Sequence, residues 1–355
     1  MPAGAIIRRM KSSLREIAVM LVRAFAAAAA VVMSAPTWAE DFYQGKTISI
    51  VIGSAPGGSY DAYARLLARR MGQFIPGNPL IIPRNLPGAA GILAAQFVND
   101  GAKDGTVLGA PLNNLLLSKL LTPEKIKFDA ATFQWIGAVA SPVNVLATWS
   151  DSGVASMEDA LKNPVVIGAS TPGSTMEFYP LMANNLFGTK FKVVTGYIGG
   201  AEINMAMERG EVGGRGANTY LAYAFQNPDW IRDRKLNFLF QMTLERDALL
   251  PNVPTLLEFA TTDEQRQVIS MLAITEVLGR FLIAPGGTPM DRVGFLRKAM
   301  AEVIVDKFFL EEADKAKLEV SFIPGKKLQT LADDLLKTPA AVVQKFKEAT
   351  RSNRN

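Results

Sequence analysis

Thr47–Ile48–Ser49–Ile50–Val51–Ile52–Gly53–Ser54–Ala55–Pro56–Gly57–Gly58–Ser59–Tyr60–Asp61 is the stretch that decides how this chain is built. Its opening, Thr47–Gly53, is rich in Ile and Val, the pattern of a strand buried on both faces. Ser54–Ser59 is a Gly/Pro/Ser turn. Beyond it Ala64, Leu67, Ala68 and Met71 fall at helical spacing, with Arg65 and Arg69 on the other face. Strand, glycine-rich turn and helix make one βα unit.

The same order recurs downstream. Leu80–Ile82 reads as a strand, Gly88–Gly91 as a turn and Ile92–Val98 as a helix. Thr106–Ala110 and Phe133–Ala140 read as strands. The rhythm resumes with strand Val165–Ala169, helix Met176–Leu186, strand Phe191–Thr195 and helix Ala201–Arg209. Strands Leu236–Met242 and Phe281–Ala284 come later, and Asp291–Ala349 is mostly helical and charged. Repeated βα units predict a parallel α/β sheet with right-handed crossovers. No internal repeat or low-complexity linker marks a boundary, so boundaries are expected where strands cross between domains, near Ala140 and Leu278. That gives residues 40–140 with 278–355 as one domain and 141–277 as the other.

A length of 355 residues suits two domains of ordinary size. Hydrophobic residues at 49% and charged residues at 20% exclude disorder as the main state. The chain has no Cys and no His, which excludes thiolate and imidazole catalysis, Ser-His triads, Cys/His zinc sites and a disulfide framework. The net charge is +5, but residues 1–39 hold five of the Lys and Arg (Arg8, Arg9, Lys11, Arg15, Arg23) against Glu16 alone. The remainder is close to neutral, so its charge gives no argument for nucleic acid. The basic start precedes the apolar run Ala24–Met33 and the small-residue exit Ser34–Ala39. This is the order of a cleaved secretory signal, with Thr37 and Ala39 at the cleavage site and a mature chain from Glu40. The expected location is the periplasm.

The places for chemistry are helix starts. At Gly57–Gly58–Ser59, glycines let a ligand approach the backbone, and the helix N-terminus supplies free N–H groups and a positive dipole end. Asp61 either stabilises that dipole or accepts a hydrogen bond from a ligand. Ser170–Thr171–Pro172–Gly173–Ser174–Thr175 offers hydroxyls and N–H groups suited to a carboxylate, or an N-cap. Gly199–Gly200–Ala201–Glu202–Ile203–Asn204 repeats the arrangement, with Asn204 facing the ligand. Arg215, flanked by glycines, either reaches a cleft to grip a carboxylate bidentately or forms an ion pair. Neither GxGxxG nor a Walker loop is present. Asp333/Asp334 and Glu311/Glu312 sit in Lys-rich helical stretches and read as solvated faces.

The chain resembles the extracytoplasmic solute receptors of tripartite tricarboxylate transporters, the Bug or TctC proteins. The resemblance runs through Tyr43–Ile48, Pro56–Arg65, Asn85–Gly91, Asp104–Thr106, Gly173–Ser174, Tyr197–Gly199, Leu250–Thr255 with Glu258, and Ala284–Pro289. It implies two α/β domains joined by crossing strands, a periplasmic-binding-protein fold of the type II-like Venus-flytrap kind. It further implies a monomer, without metal or cofactor and without catalysis, that takes a small carboxylate for membrane permease subunits. Gly57, Gly58 and Asp61 would line one wall of the cleft, and Gly173, Ser174 and Thr175 the other. Two departures lie on the second wall: Glu177 stands where many members have His, and Gly213 where many have Asp. The segment Thr262–Leu278 is longer than the usual connection. Competing readings are a receptor of the same shape serving a sensor partner, and a periplasmic hydrolase, which would need clustered carboxylates.

Overall fold

The computed structural model describes residues 42–352. The apolar run at 47–52 forms strand β1 (Thr47–Ile52), with Ile48, Ile50, Val51 and Ile52 fully buried. A strand covered on both faces needs apolar side chains on both, which is why the run does not alternate. After the turn, α1 (Ser59–Arg70) buries Ala64 and Leu67 and ends on Arg69 and Arg70, cations matched to the negative end of the helix dipole.

Eleven strands among the described residues form two sheets. They are β1, β2 (Leu80–Asn85), β3 (Val107–Ala110), β4 (Gln134–Ala140), β5 (Asn144–Trp149), β6 (Val165–Gly168), β7 (Phe191–Val194), β8 (Gly214–Thr219), β9 (Leu236–Gln241), β10 (Arg280–Ala284) and β11 (Ile323–Pro324). The first sheet has the order β11-β4-β10-β3-β1-β2, the second β7-β6-β8-β5-β9. The chain leaves the first sheet at Ala140, enters the second at Asn144, and returns at Arg280.

The expected parallel α/β sheets also carry antiparallel strands. β10 runs antiparallel to β3 and β4, and β5 runs antiparallel to β8 and β9. The cause is the crossing itself. Each of these strands enters its sheet from the edge where the parallel strands end, so it must run backwards through them. β5, which carries the first crossing, had no strand assigned to it from sequence.

The remaining helices are α2 (Ile92–Asp100), α3 (Leu115–Leu121), α4 (Met157–Lys162), α5 (Thr175–Phe187), α6 (Gly200–Glu208), α7 (Tyr220–Gln226), α8 (Pro228–Arg232), α9 (Asp263–Leu278), α10 (Met290–Val303), α11 (Lys307–Lys315), α12 (Gly325–Leu336) and α13 (Ala340–Ala349). The long segment before Leu278 is α9, opened by a Thr262/Gln265 capping box. It packs on α3, α12 and α13, and α13 also packs on α5. One apolar core therefore includes Trp135 and Phe281 of the first sheet with Leu146, Ile167 and Phe240 of the second. Phe178 of α5 meets Phe346 of α13 edge to face, with ring centroids 6.1 Å apart.

Candidate functional site

The strand directions bring the helix starts to one place. β4 is parallel to β1 and β3, so Ala140 ends at the same edge as Ile52 and Ala110. Asn144, the first residue of β5, pairs with Thr219, the last of β8. The carboxyl edges of both sheets thus border the crossing at 141–143, and ligand clefts of open α/β sheets lie beyond such edges. The crossing is held from both sides. The Ser141 N–H donates to Ser321 Oγ and the Ser141 hydroxyl to Val277 O, both at 2.8 Å, and the Tyr220 N–H donates to Val143 O at 3.0 Å. A cavity of about 360 Å³ there takes Ser59 and Tyr63 from the first sheet's side and Thr219, Ala222 and Phe225 from the second, with Arg280 and Glu319.

Three helix starts share one construction. A carboxylate in the first helical turn accepts from a backbone N–H four residues earlier. The Gly57 N–H donates to Asp61 Oδ2 at 2.9 Å, Gly173 to Glu177 Oε2 at 2.6 Å, and Ile198 to Glu202 Oε2 at 2.6 Å. Gly57 and Gly173 have φ of +85° and +80°, where an L side chain is strained, and this conformation folds each loop back over its helix. The rest of each turn stays open: Gly57, Gly58, Ser59, Thr171, Gly173, Thr175 and Ala201 are exposed, and Ser170 and Gly200 half-buried.

Asp61 is only 4% exposed, and its carboxylate is filled from within the chain. Besides Gly57 it accepts from Arg65 Nε at 2.9 and 3.0 Å and from Asn85 Nδ2 at 2.8 Å, while Asn85 also donates to Ser54 O. Burial works to raise its pKa, but the bonds from Arg65, Gly57 and Asn85 hold it below the usual carboxylate range. The geometry therefore gives Asp61 the work of holding the turn. Ser174 differs. It is the N-cap residue of α5, yet its hydroxyl makes no cap bond, and its Oγ is buried with no partner among the described residues. The N-cap reading of that hydroxyl is corrected.

Asn204 is turned away from the open turn. Its Oδ1 accepts from Arg215 Nη1 at 3.1 Å and its Nδ2 donates to Asn227 Oδ1 at 3.3 Å. Arg215 is 6% exposed, and the ion pairs among the described residues do not include it. Of the two readings of Arg215, the ion pair is corrected: it is a buried cation, and burial lowers the guanidinium pKa.

Sequence reasoning missed a half-buried polar cluster around the buried Glu276. Tyr60 donates to Asn113 Oδ1 at 2.8 Å and accepts from Arg280 Nη1 at 3.2 Å, and the Arg280 guanidinium lies 4.1 Å over the Tyr60 ring. Glu276 accepts from Asn144 Nδ2 at 2.9 Å and, weakly, from Asn113 Nδ2 at 3.5 Å. Burial pushes the Glu276 carboxyl up to about 7, against the pull of Arg280, Tyr179, Asn113 and Asn144. Two signals were available: the amide pair Asn113–Asn114 just after a strand, and a lone acid inside the apolar run Met271–Leu278.

Comparison with known proteins agrees with this architecture. A UPF0065 protein in the gbd 5′ region of Cupriavidus necator is 27% identical over 336 residues, 92% of this chain and 95% of that one. A TctC solute binding protein from Polaromonas superposes with a TM-score of 0.67 at 18% identity, covering 85% of this chain and 99% of that chain. An R. palustris protein solved with adipate does so with a TM-score of 0.57 at 20% identity, covering 86% and 97%. These two likenesses show the fold. Residues 63–348 match the model of the tripartite tricarboxylate transporter family receptor, and by that match this chain belongs to that receptor family.

Proposed function

We propose that this receptor captures a small organic carboxylate between its two sheets and delivers it to the membrane permease subunits of a tripartite transporter. The observation that carries the reading is the shared construction of three open helix starts at carboxyl edges bordering one crossing. Each start offers main-chain N–H groups and a positive dipole end worth ~0.3–1 kcal/mol toward an anion. Three such starts supply about 1–3 kcal/mol of dipole attraction, and the hydrogen bonds of their N–H groups to the carboxylate oxygens add to it. In this reading Gly57, Gly58 and Ser59 supply the first wall, and Ser170, Thr171, Gly173, Ser174, Thr175, Gly200 and Ala201 the second. Asp61 and Asn204 position their neighbours.

Residues 40–140 with 278–355 and residues 141–277 act as two domains that close about the crossings near Ala140 and Leu278. The adipate of the R. palustris protein is the class of ligand expected. The leader at 1–39, which lies outside the described residues, sends a monomer beginning at Glu40 to the periplasm. Among the described residues no helix is long and apolar enough to cross a membrane. Native mass spectrometry of freshly purified protein, followed by calorimetry against mono- and dicarboxylates, tests the reading. A co-purified organic acid supports it, whereas a neutral sugar as the bound ligand contradicts it.

A further inference from the structure

Arg215 is a buried cation whose hydrogen-bond acceptors among the described residues are all neutral. Its Nε donates to Ala217 O at 3.1 Å, and Nη1 to Asn204 Oδ1 at 3.1 Å and to Gly200 O at 3.4 Å. The Tyr223 ring lies 6.0 Å away. Both acids of α6 have partners elsewhere: Glu202 accepts from the Ile198 N–H and Glu208 from Trp230 Nε1. A desolvated charge with only dipoles against it is costly, and an arriving anion removes much of that cost.

The position of this charge says where the anion arrives. Arg215 pairs in register with Gly168, the last residue of β6, so it stands level with the end of that strand. Its bond to Ala217 shows the side chain running forward along β8, toward the edge that carries the turns. Gly200 makes room for it: a Cβ on Gly200 would lie 2.1 Å from Arg215 Nη2. The guanidinium therefore occupies the space under the first residue of α6, adding a full charge to a helix start that already favours anions.

We propose that Arg215 is a specificity-determining residue of the cleft, its guanidinium meeting one carboxylate of a ligand that carries two. The second carboxylate is left for the helix starts at Ser59 and Ser174. This rests on the carboxylate-receptor reading and adds to it which residue counts the ligand's charges. Among the described residues Nη2 makes no hydrogen bond and so is left for a carboxylate, and the Nη1 bond to Gly200 O, the longest of the three at 3.4 Å, is the one a ligand displaces to meet the guanidinium through two N–H groups.

The test compares matched acids, succinate against butyrate and adipate against hexanoate, by calorimetry on the full mature chain. Wild type is expected to prefer the dicarboxylate of the better pair at least tenfold. Arg215→Met is expected to lower dicarboxylate affinity ten- to a hundredfold while changing the monocarboxylate less than threefold. Equal loss for both acids, or an unchanged preference, overturns the proposal and marks Arg215 as structural. If Arg215→Met does not fold, Arg215→Gln answers the same question: it keeps an amide donor but removes the charge and is expected to lose the preference for the dicarboxylate, whereas a preference retained in that folded variant overturns the proposal. Wild type binding none of the four acids would instead overturn the carboxylate reading, and the role of Arg215 with it.

Discussion

Ser174 and Asp61 make opposite predictions although both stand at helix starts. Ser174 Oγ is buried without a partner, an arrangement that costs about 1–3 kcal/mol. Ser174→Ala is therefore expected to leave the melting temperature unchanged or raised while weakening ligand binding several-fold, since main-chain donors remain. Asp61 is filled by Gly57, Arg65 and Asn85, so Asp61→Asn is expected to cost ~1–2 kcal/mol in a denaturant melt, and to weaken binding only through the loosened turn. Tm and Kd for each variant check both expectations. Asp61 was legible as a first-turn acid, but not which of its two roles it has, because its partner Asn85 comes from another strand. Glu276 gives a pH dependence. Its carboxyl is raised to about 7 in the fold from 4.5, so the stability it allows is full below about pH 4.5 and is lost as pH rises through 7. The loss is roughly 3 kcal/mol by linkage. Glu319, also raised to about 7 by burial, works in the same direction. Stability is thus expected to fall between pH 5 and 8, and Glu276→Gln to remove about half of that slope; a slope unchanged by the substitution would show that the carboxyl titrates elsewhere.

At the scale of elements, β8 shows why glycines cluster at 213–216. Gly216 lets the strand lie against the start of α5, where a Cβ would come within 1.7 Å of Met176 O, a backbone atom with no room to yield. Gly216→Ala is expected to destabilise by about 3 kcal/mol or more, read as a large fall in Tm, since overpacking is not relieved by a rotamer change. An unchanged Tm would mean that the helix start shifts freely. The βα units were legible because strands covered on both faces are apolar throughout and helices repeat at 3.6 residues. Strand direction was not legible, because β5 and β10 have the same composition whichever way they run. Only the crossings decide it. The half-buried Tyr60–Asn113–Arg280 cluster was hidden for a similar reason, its members lying more than fifty residues apart along the chain.

At the scale of the whole molecule, the proposed function has two sheets presenting their carboxyl edges to one ligand and moving toward each other upon binding. Small-angle scattering is expected to show a smaller radius of gyration with a saturating dicarboxylate than without it, and unchanged dimensions would argue against closure. What the crossings at 141–143 and 278–279 allow, the core shared through α9 and α13 must also permit, so the motion is expected to be a rotation that keeps Phe178 on Phe346. The most direct test is amide hydrogen exchange followed peptide by peptide, with and without the acid that calorimetry identifies. New protection is expected in the same experiment at 54–60 of the first sheet and at 170–176 and 198–204 of the second. Protection confined to the turns of one sheet, or none at saturation, would contradict the proposed function.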